Sequence, residues 1–322
     1  MKSRRAGAWR RRAALRSARP DTPSPRARHG FLLFSTAVLP VGAAIFLTAS
    51  ALHAQRIPFE ERTFSEQVLR AHGQPVIPIY EGWYENPDGT FDICFGYHNL
   101  NMEEPLQIPL GPRNSLEPDR FQGEQPTYFA PVPGMGEASQ MESRFRRHYC
   151  VFTVTVPADF GRDGEVTWTL QRENGPPVTT PGTLNPSYVL DEPASDGRGE
   201  IAPVLRFSEG GTEFQGRGGF TGPERTIRVG EPLDLEVRIE DLAGEEEMWV
   251  GWIQYRGPGT ARFQPAEQSV VLTDGTATAT TTATFTEPGE YVLLVQSINS
   301  ATASFEFHCC WTNGYVPVTV EP

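Results

Sequence analysis

The amino-acid sequence predicts an all-β protein. Its 322 residues include 31 glycines and 29 prolines, which are spread along the chain rather than gathered in tracts. Between them lie short segments rich in Val, Ile, Thr, Phe and Tyr, the residue types that favour strands. Helical periodicity is confined to one short segment at 65–72. Many short strands separated by turn residues indicate two β-sandwich domains in tandem.

The first 54 residues have the three parts of a secretory signal peptide. Ten Lys or Arg residues between Lys2 and Arg28 precede an uncharged segment at 31–51, and small residues end it at 49–51 and Ala54. This order predicts cleavage near residue 54 and export by a bacterium to the periplasm, the cell surface or the extracellular medium. The apolar segment is also long enough to span a bilayer, so an uncleaved anchor is the alternative.

Cleavage would leave a strongly acidic chain. Without the ten basic residues and the single acid of the leader, the 28 basic and 40 acidic residues fall to 18 and 39, a net charge of −21. Nucleic acids and anionic membranes require clustered cations, so we expect neither as a partner, and we expect no membrane span in the mature chain. Lys2 is the only lysine, which excludes Schiff-base chemistry and P-loop phosphate binding after cleavage.

The first domain is predicted at 55–193, and its clearest element is a β-hairpin. One arm covers 77–85 and the other covers 90–98. Between them, Asn86-Pro87-Asp88-Gly89 has the residues of a tight turn with a positive φ at glycine. We therefore expect the two arms to pair as antiparallel neighbours.

A proline-rich insert at about 102–142 follows the hairpin. It is too polar for a core and too long for a simple turn, so we expect a binding loop or a mobile insert. Strands return at 145–156 and 166–171. In the second of these, alternation predicts that Val166, Trp168 and Leu170 point inward.

The second domain is predicted at 194–322, after a segment of linker composition at 193–199. Its strand at 233–240 alternates apolar and charged residues, which is typical of a half-buried strand. Threonine at every second position from 276 to 284 predicts a solvated strand face. The other predicted elements are a hairpin turn at 273–276 and strands at 248–255, 292–298 and 316–320.

The second domain resembles an immunoglobulin-like β-sandwich. The resemblance covers about 225–322 and follows from the succession GEPLDLEVRIED, a Trp-bearing strand, TFTEPGEYVLLVQS and YVPVTV. It is similar to the PKD-type and cadherin-like modules of exported bacterial proteins, although Trp252-Ile253-Gln254-Tyr255 stands where PKD modules have WxFGDG. It implies that Trp252 packs in the core and that Tyr291 lies at the corner before the penultimate strand. The resemblance implies a fold and no activity, and the first domain resembles no family.

The four cysteines predict disulfide bonds. An even number of cysteines in an exported chain favours pairing, and Cys94, Cys150, Cys309 and Cys310 allow three connectivities. Adjacent Cys309 and Cys310 could close a ring of their own, and Cys94 would then pair with Cys150. Closing a loop of that length would stabilise the fold by about 4 kcal/mol. The alternative is that one or both of the adjacent cysteines pair elsewhere and that Trp311 is buried.

Two groups of side chains are candidates for binding. Aromatic rings stack on sugars and other flat groups, so a carbohydrate or another small ligand could contact Trp311, His308, Trp83 and Tyr84. The alternative is a zinc or copper site, because each strand places its two potential ligands on one face. Its ligands would be Cys94, His98, His148 and Cys150. Calcium could bind acid clusters in the turns predicted at 159–165 and 245–247.

Catalytic motifs are missing from the sequence. It contains no GxSxG, HExxH, SxxK or dinucleotide-binding glycine loop. A carboxylate pair for glycoside hydrolysis stays open, because spacing in sequence does not determine spacing in space. We therefore expect a non-catalytic binding or structural protein outside the cytoplasm, with a protein or a glycan at the cell surface as its partner. The sequence leaves its oligomeric state open.

Overall fold

The fold is all-β, as predicted. The structure, a computed structural model, describes residues 70–131, 147–190, 201–299 and 311–322. All of them lie in one compact unit, Thr63–Pro322. These residues form 19 strands and no α-helix, and 3₁₀ turns cover Asp119–Phe121 and Pro186–Tyr188. The described part of the chain also contains no helix with the length and apolarity needed to traverse a bilayer.

Described residues from 70 to 190 form the first sandwich. Its strands are β1 (Val76–Glu85), β2 (Phe91–Asn99), β3 (Leu106–Gln107), β4 (Asn114–Glu117), β5 (Tyr128–Phe129), β6 (His148–Val156), β7 (Glu165–Gln171) and β8 (Pro177–Thr183). One sheet has the order β1-β2-β6, the other has the order β4-β7-β8, and β3 pairs with β5. The ring of Trp168 meets Phe95 and Phe152 edge-on at 6.0 and 5.0 Å between centroids. An aromatic core therefore fills the space between the two sheets.

The predicted hairpin and the predicted inward face of the later strand are confirmed. β1 and β2 pair antiparallel around the turn at residues 86–90, where the Gly89 amide donates to the Asn86 carbonyl at 2.9 Å. In β7, Val166, Trp168 and Leu170 are all buried. These elements follow from local sequence, because the turn residues and the two-residue period specify them without distant contacts.

The expectation that the insert is too polar for a core was wrong for its described part, 102–131. β4 pairs with β7, and the core includes Leu116, Phe121 and Phe129 from this segment. The amide of Asn114 explains how so polar a segment folds inward. Its Nδ2 donates to the carbonyls of Ile108 and Pro126 at 2.8 and 2.7 Å, which satisfies backbone groups that burial would otherwise leave unpaired.

Described residues from 201 to 322 form the second sandwich. Its strands are β9 (Val204–Arg206), β10 (Phe214–Gln215), β11 (Phe220–Thr221), β12 (Arg225–Arg228), β13 (Leu233–Glu240), β14 (Glu247–Arg256), β15 (Ala261–Gln264), β16 (Glu267–Val271), β17 (Thr276–Phe285), β18 (Gly289–Asn299) and β19 (Trp311–Glu321). One sheet has the order β10-β9-β13-β17-β15. The other has the order β11-β19-β18-β14-β16, and β12 also pairs with β19. Leu235, Val237 and Ile239 of β13 point into the core between them, as the alternation predicted.

The immunoglobulin-like resemblance is confirmed at the level of the fold. Trp252 on β14 is buried in the core. The Tyr291 hydroxyl at the start of β18 donates to the carbonyl of Glu287 at 2.9 Å and accepts from the amide of Gly259 at 3.1 Å. A tryptophan buried between the two sheets and a tyrosine tied back to the preceding corner are hallmarks of this architecture. The threonine face of β17 points outward and its alanines point inward, as predicted.

The two sandwiches pack directly against each other along a contact that we call the seam. Tyr255 and Leu294 of the second sandwich are part of the hydrophobic cluster of the first. The amide of Thr127 donates to the carbonyl of Tyr255 at 3.1 Å, and Arg256 donates from Nη2 to the carbonyl of Gln125 at 2.8 Å. Burial of apolar rings and of paired backbone groups holds the sandwiches together. The predicted boundary at 193/194 and the leader lie outside the described residues, so both stay predictions.

Candidate functional site

The disulfide between Cys94 and Cys150 is confirmed. It joins β2 to β6 across a Cα–Cα distance of 5.3 Å, and both residues are fully buried. The two sulfur atoms of the alternative metal site are therefore bonded to each other, whereas a metal ligand would be a thiolate. Cys309, Cys310 and His308 lie outside the described residues, and the ring predicted for the adjacent cysteines stays a prediction.

The two histidines of the alternative metal site lie on the strands that carry the cysteines, His98 on β2 and His148 on β6. The His148 ring stacks on Tyr97 at 4.6 Å between centroids, and its Nε2 contacts the carbonyl of Ala130 at 3.1 Å. Burial lowers the pKa of His148 to about 4, the Ala130 carbonyl raises it, and the nearby His98 lowers it further. His148 is therefore neutral at pH 7. Within the described ranges, no group of three or more His, Cys, Asp or Glu side chains is arranged to hold a metal ion.

Two of the predicted ligand-stacking residues pack inside the protein instead of on its surface. Tyr84 and Trp311 are only 3% and 4% exposed, and the guanidinium of fully buried Arg217 lies 4.8 Å and 5.3 Å from their ring centroids. The Tyr84 hydroxyl donates to Asp92 at 2.8 Å. Burial, with the Asp92 carboxylate, raises the pKa of Tyr84 well above its usual range. This cluster contributes to the seam, because Tyr84 and Trp311 come from different sandwiches.

The remaining candidate, Trp83, belongs to a surface patch that the sequence did not reveal. We call it the Tyr188 patch, and it consists of Tyr80, Trp83, Phe91, Tyr188 and Val189. Tyr188 is 50% exposed and Val189 is 57% exposed, whereas the other three side chains are partly buried. The rings of Tyr80 and Tyr188 lie 5.3 Å apart, and those of Trp83 and Phe91 lie 5.4 Å apart. These pairs place exposed aromatic surface at one edge of the first sandwich.

The backbone after β8 positions this patch. Asn185 accepts from the amide of Ser187 at 2.9 Å and begins a 3₁₀ turn, and its carbonyl accepts from the Trp83 indole at 2.8 Å. The chain then runs parallel to β1, where the amide of Leu190 donates to the carbonyl of Trp83 at 2.7 Å. Gly82 allows this close approach, because its φ is +141° and an added Cβ would collide with the carbonyl oxygen of Tyr188.

A cleft of about 290 Å³ opens along the seam. Its walls include Tyr255, Arg256, Tyr315 and the glycines of two loops, Gly123 and Gly219. The polar side chains of Tyr255, Arg256 and Tyr315 already have protein partners. The Tyr255 hydroxyl donates to the carbonyl of Glu124, and the Tyr315 hydroxyl donates to the carbonyl of Val151 at 2.8 Å. The cleft is thus built from groups that bind the sandwiches to each other.

Comparison with solved structures yields distant neighbours at low identity. No family model and no curated protein matches the chain. It is similar to the ASH/PapD-like domain 7 of human CEP192, with 11% identity over 38% of this chain and 87% of that one, and a TM-score of 0.26. It is also similar to WR4, a C. elegans MSP family member, with 12% identity over 31% of this chain and 92% of that one, and a TM-score of 0.22. A third similar structure is the D00-D0 domain of intimin, with 13% identity over 76% of this chain and 100% of that one, and a TM-score of 0.23. TM-scores this low assign no family and no function.

Proposed function

We propose that this chain is a non-catalytic, exported binding module whose contact surface is the Tyr188 patch. The observation that carries the proposal is the exposure of Tyr188 and Val189 beside three more aromatic side chains. Exposed apolar groups gathered in one place mark contact surfaces more often than single exposed residues do. Tyrosine and tryptophan are also enriched at protein interfaces, because they bury large rings at a low cost in side-chain entropy.

A protein partner at the cell surface is the leading candidate. The disulfide and the predicted leader both support a location in an oxidising compartment outside the cytoplasm. The resemblance of the second sandwich to PKD-type or cadherin-like modules is part of this proposal, since those modules act in exported proteins.

A glycan is the second candidate, and the ring pairs of the patch favour it. Tyr80 pairs with Tyr188 and Trp83 pairs with Phe91, and the Trp83 indole donates to the backbone carbonyl of Asn185. Rings beside hydrogen-bonding groups suit a sugar, which has apolar faces and a polar rim. Trp311 and His308 would take no part in this version of the site.

The test compares two exposed positions on different sandwiches. The double variant Tyr188→Ser/Val189→Ser removes the most exposed part of the patch, and Leu242→Ser is the matched control because Leu242 is also 50% exposed. Each protein, exported and oxidised, would be applied to a glycan array and used to capture crosslinked proteins from a cell-envelope extract. We expect the wild-type protein to give a protein-capture signal or a glycan signal. That signal should disappear in the patch variant and persist in Leu242→Ser. Equal signals in all three proteins would contradict the proposal.

The metal alternatives need their own measurement. Elemental analysis of the oxidised, purified protein would reveal stoichiometric zinc, copper or calcium, if one of these ions binds. Stoichiometric zinc or copper would indicate a metal site that includes His98, His148 or the cysteines outside the described residues. Stoichiometric calcium would point to the acidic turns at 159–165 and 245–247.

A further inference from the structure

Three consecutive backbone carbonyls of β6 accept hydrogen bonds from the second sandwich. The carbonyl of Tyr149 accepts from Gln296 Nε2 at 3.3 Å, and that of Cys150 accepts from Asn313 Nδ2 at 2.9 Å. The carbonyl of Val151 accepts from the Tyr315 hydroxyl at 2.8 Å. Gln296 and Asn313 also bond to each other at 2.9 Å. All three donors lie on the paired strands β18 and β19, so we expect the contact to act as a unit.

A bulge makes three adjacent carbonyls available. Phe95 pairs with Phe152 and Tyr97 pairs with His148, so three residues of β6 lie opposite the single residue Gly96 of β2. In a regular antiparallel ladder, successive carbonyls point alternately to the two neighbouring strands. Because the bulged residues are buried and lack ladder partners, their carbonyls need other donors, and the second sandwich supplies them.

The disulfide lies within this bulge. Cys150 is its central residue and adopts a φ of +37°, a region that non-glycine residues rarely occupy. Its bond to Cys94 ties the bulge to β2. Gly96 leaves room for the bulge, because an added Cβ would collide with Glu81 Oε1 and with the carbonyl of His148. The covalent bond thus holds an unfavourable backbone conformation in the shape that the second sandwich recognises.

We propose that oxidation of Cys94 and Cys150 is the step that couples the two sandwiches into one cooperative unit. The two thiols exchange with an external disulfide, so the Cys94–Cys150 bond forms, the external disulfide is reduced to two thiols, and the two protons of the cysteines remain on those thiols. In the reduced chain the bulge relaxes, the three carbonyls lose their alignment and the seam opens, so that the first core loses Tyr255 and Leu294 but each sandwich keeps the packing between its own sheets.

The burial of the cysteines makes this coupling persistent. Both residues are fully buried in the folded chain, so a reductant reaches them only after local opening. Coupling would therefore follow export to an oxidising compartment and would not reverse on brief exposure to thiols. This inference is independent of the proposed binding role of the Tyr188 patch.

The test measures cooperativity with and without the disulfide. Calorimetry of the oxidised full chain should give a single unfolding transition. The variant Cys94→Ala/Cys150→Ala should give two transitions, and small-angle scattering should show a more extended particle. The amide of Thr127, which bonds across the seam to the carbonyl of Tyr255, should lose protection from hydrogen exchange in the variant. A single transition with an unchanged Thr127 amide would overturn the proposal.

Two further variants distinguish loss of the contact between β6 and the second sandwich from general destabilisation of the fold. Leu170→Ala weakens the first core while leaving the bulge and disulfide intact, so we expect one transition at a lower temperature. Gln296→Ala/Asn313→Ala keeps the disulfide but removes two of the three donors, so we expect two transitions. If the cysteine variant leaves the first sandwich unfolded, or if the donor variant keeps one transition, the disulfide does not act through this contact and the proposal is wrong.

Discussion

The two sandwiches reach the same architecture by different routes. In the second, β13 and β17 alternate exposed and buried residues, and aliphatic side chains such as Val237, Val250 and Val295 dominate the core. The first has two bulged strand pairs, a disulfide and a core of packed aromatic rings, including Phe95, Phe152 and Trp168. It also borrows Tyr255 and Leu294 from its neighbour.

This difference shows which kind of order is local and which is not. A strand that alternates apolar and polar residues specifies its own buried face, so most of the second sandwich is determined strand by strand. The first sandwich is completed by contacts between distant segments, such as Asn114 with Trp168 at 3.1 Å between Oδ1 and Nε1. Its stability should therefore respond more strongly to single polar and aromatic changes.

The largest predicted effect compares the two buried tryptophans. Trp168→Ala and Trp252→Ala should each lower the free energy of unfolding by about 3–5 kcal/mol, because each leaves a large cavity. Trp168→Ala should cost more, because it also leaves the buried Oδ1 of Asn114 without its donor. Urea denaturation of the oxidised proteins would measure both values. Equal losses would mean that the polar contact of Trp168 adds nothing to the first core.

The next effect concerns a buried carboxylate in the first sandwich. Glu81 occupies the bulge of β1 and contacts Arg147, and burial raises its pKa from 4.5 to about 7 against the opposing effect of Arg147. Because the pKa in the folded state exceeds that in the unfolded state, the contribution of Glu81 to stability is complete below pH 4.5 and is lost as the pH rises through about 7.

Glu81→Gln should remove this dependence. Between pH 5 and pH 8 the wild-type chain should lose at most about 3 kcal/mol that the variant keeps. His148 acts in the opposite direction, since its lowered pKa costs stability as the pH falls from 6.5 towards 4. The difference between variant and wild type at each pH cancels this contribution. Parallel stability curves from pH 5 to pH 8 would show that Glu81 stays ionised in the folded chain.

The smallest effect tests the corner of the second sandwich. Tyr291→Phe keeps the buried ring but removes the hydroxyl that donates to Glu287 and accepts from Gly259. We expect a loss of about 1–2 kcal/mol, because two backbone groups lose their partner. Thermal denaturation would measure it, with Tyr188→Phe as a control at an exposed hydroxyl. If the two variants lose the same amount, the corner is not a stabilising feature of this fold.

Sequence reasoning succeeded where a single strand or turn carries the information. The hairpin, the inward face of β7, the alternation of β13 and the outward threonines of β17 were all confirmed. The Cys94–Cys150 pair was one of the connectivities considered and is also confirmed. Trp252 and Tyr291 occupy the places that the immunoglobulin-like resemblance implied.

It failed where a residue's role depends on a distant neighbour. Trp311 and Tyr84 looked like surface rings, but Arg217 from another loop packs against both and buries them in the seam. Tyr188 carried no signal, because its patch forms only when the segment after β8 returns to Trp83 on β1. The segment at 102–131 looked too polar for a core, but the amide of Asn114 donates to two carbonyls of that segment, and β4 pairs with the distant strand β7.

The sequence by itself determined the all-β class and the faces of the regular strands. It also supplied an even number of cysteines, from which a disulfide could be predicted. These properties depend on side-chain alternation and turn chemistry, which act over a few residues. The tertiary structure alone decided which aromatic rings are buried, which carbonyls of β6 meet Gln296, Asn313 and Tyr315, and where Tyr188 becomes exposed. Those outcomes depend on how two sheets and two sandwiches meet, and contacts between residues more than a hundred positions apart leave no periodic pattern in a single chain.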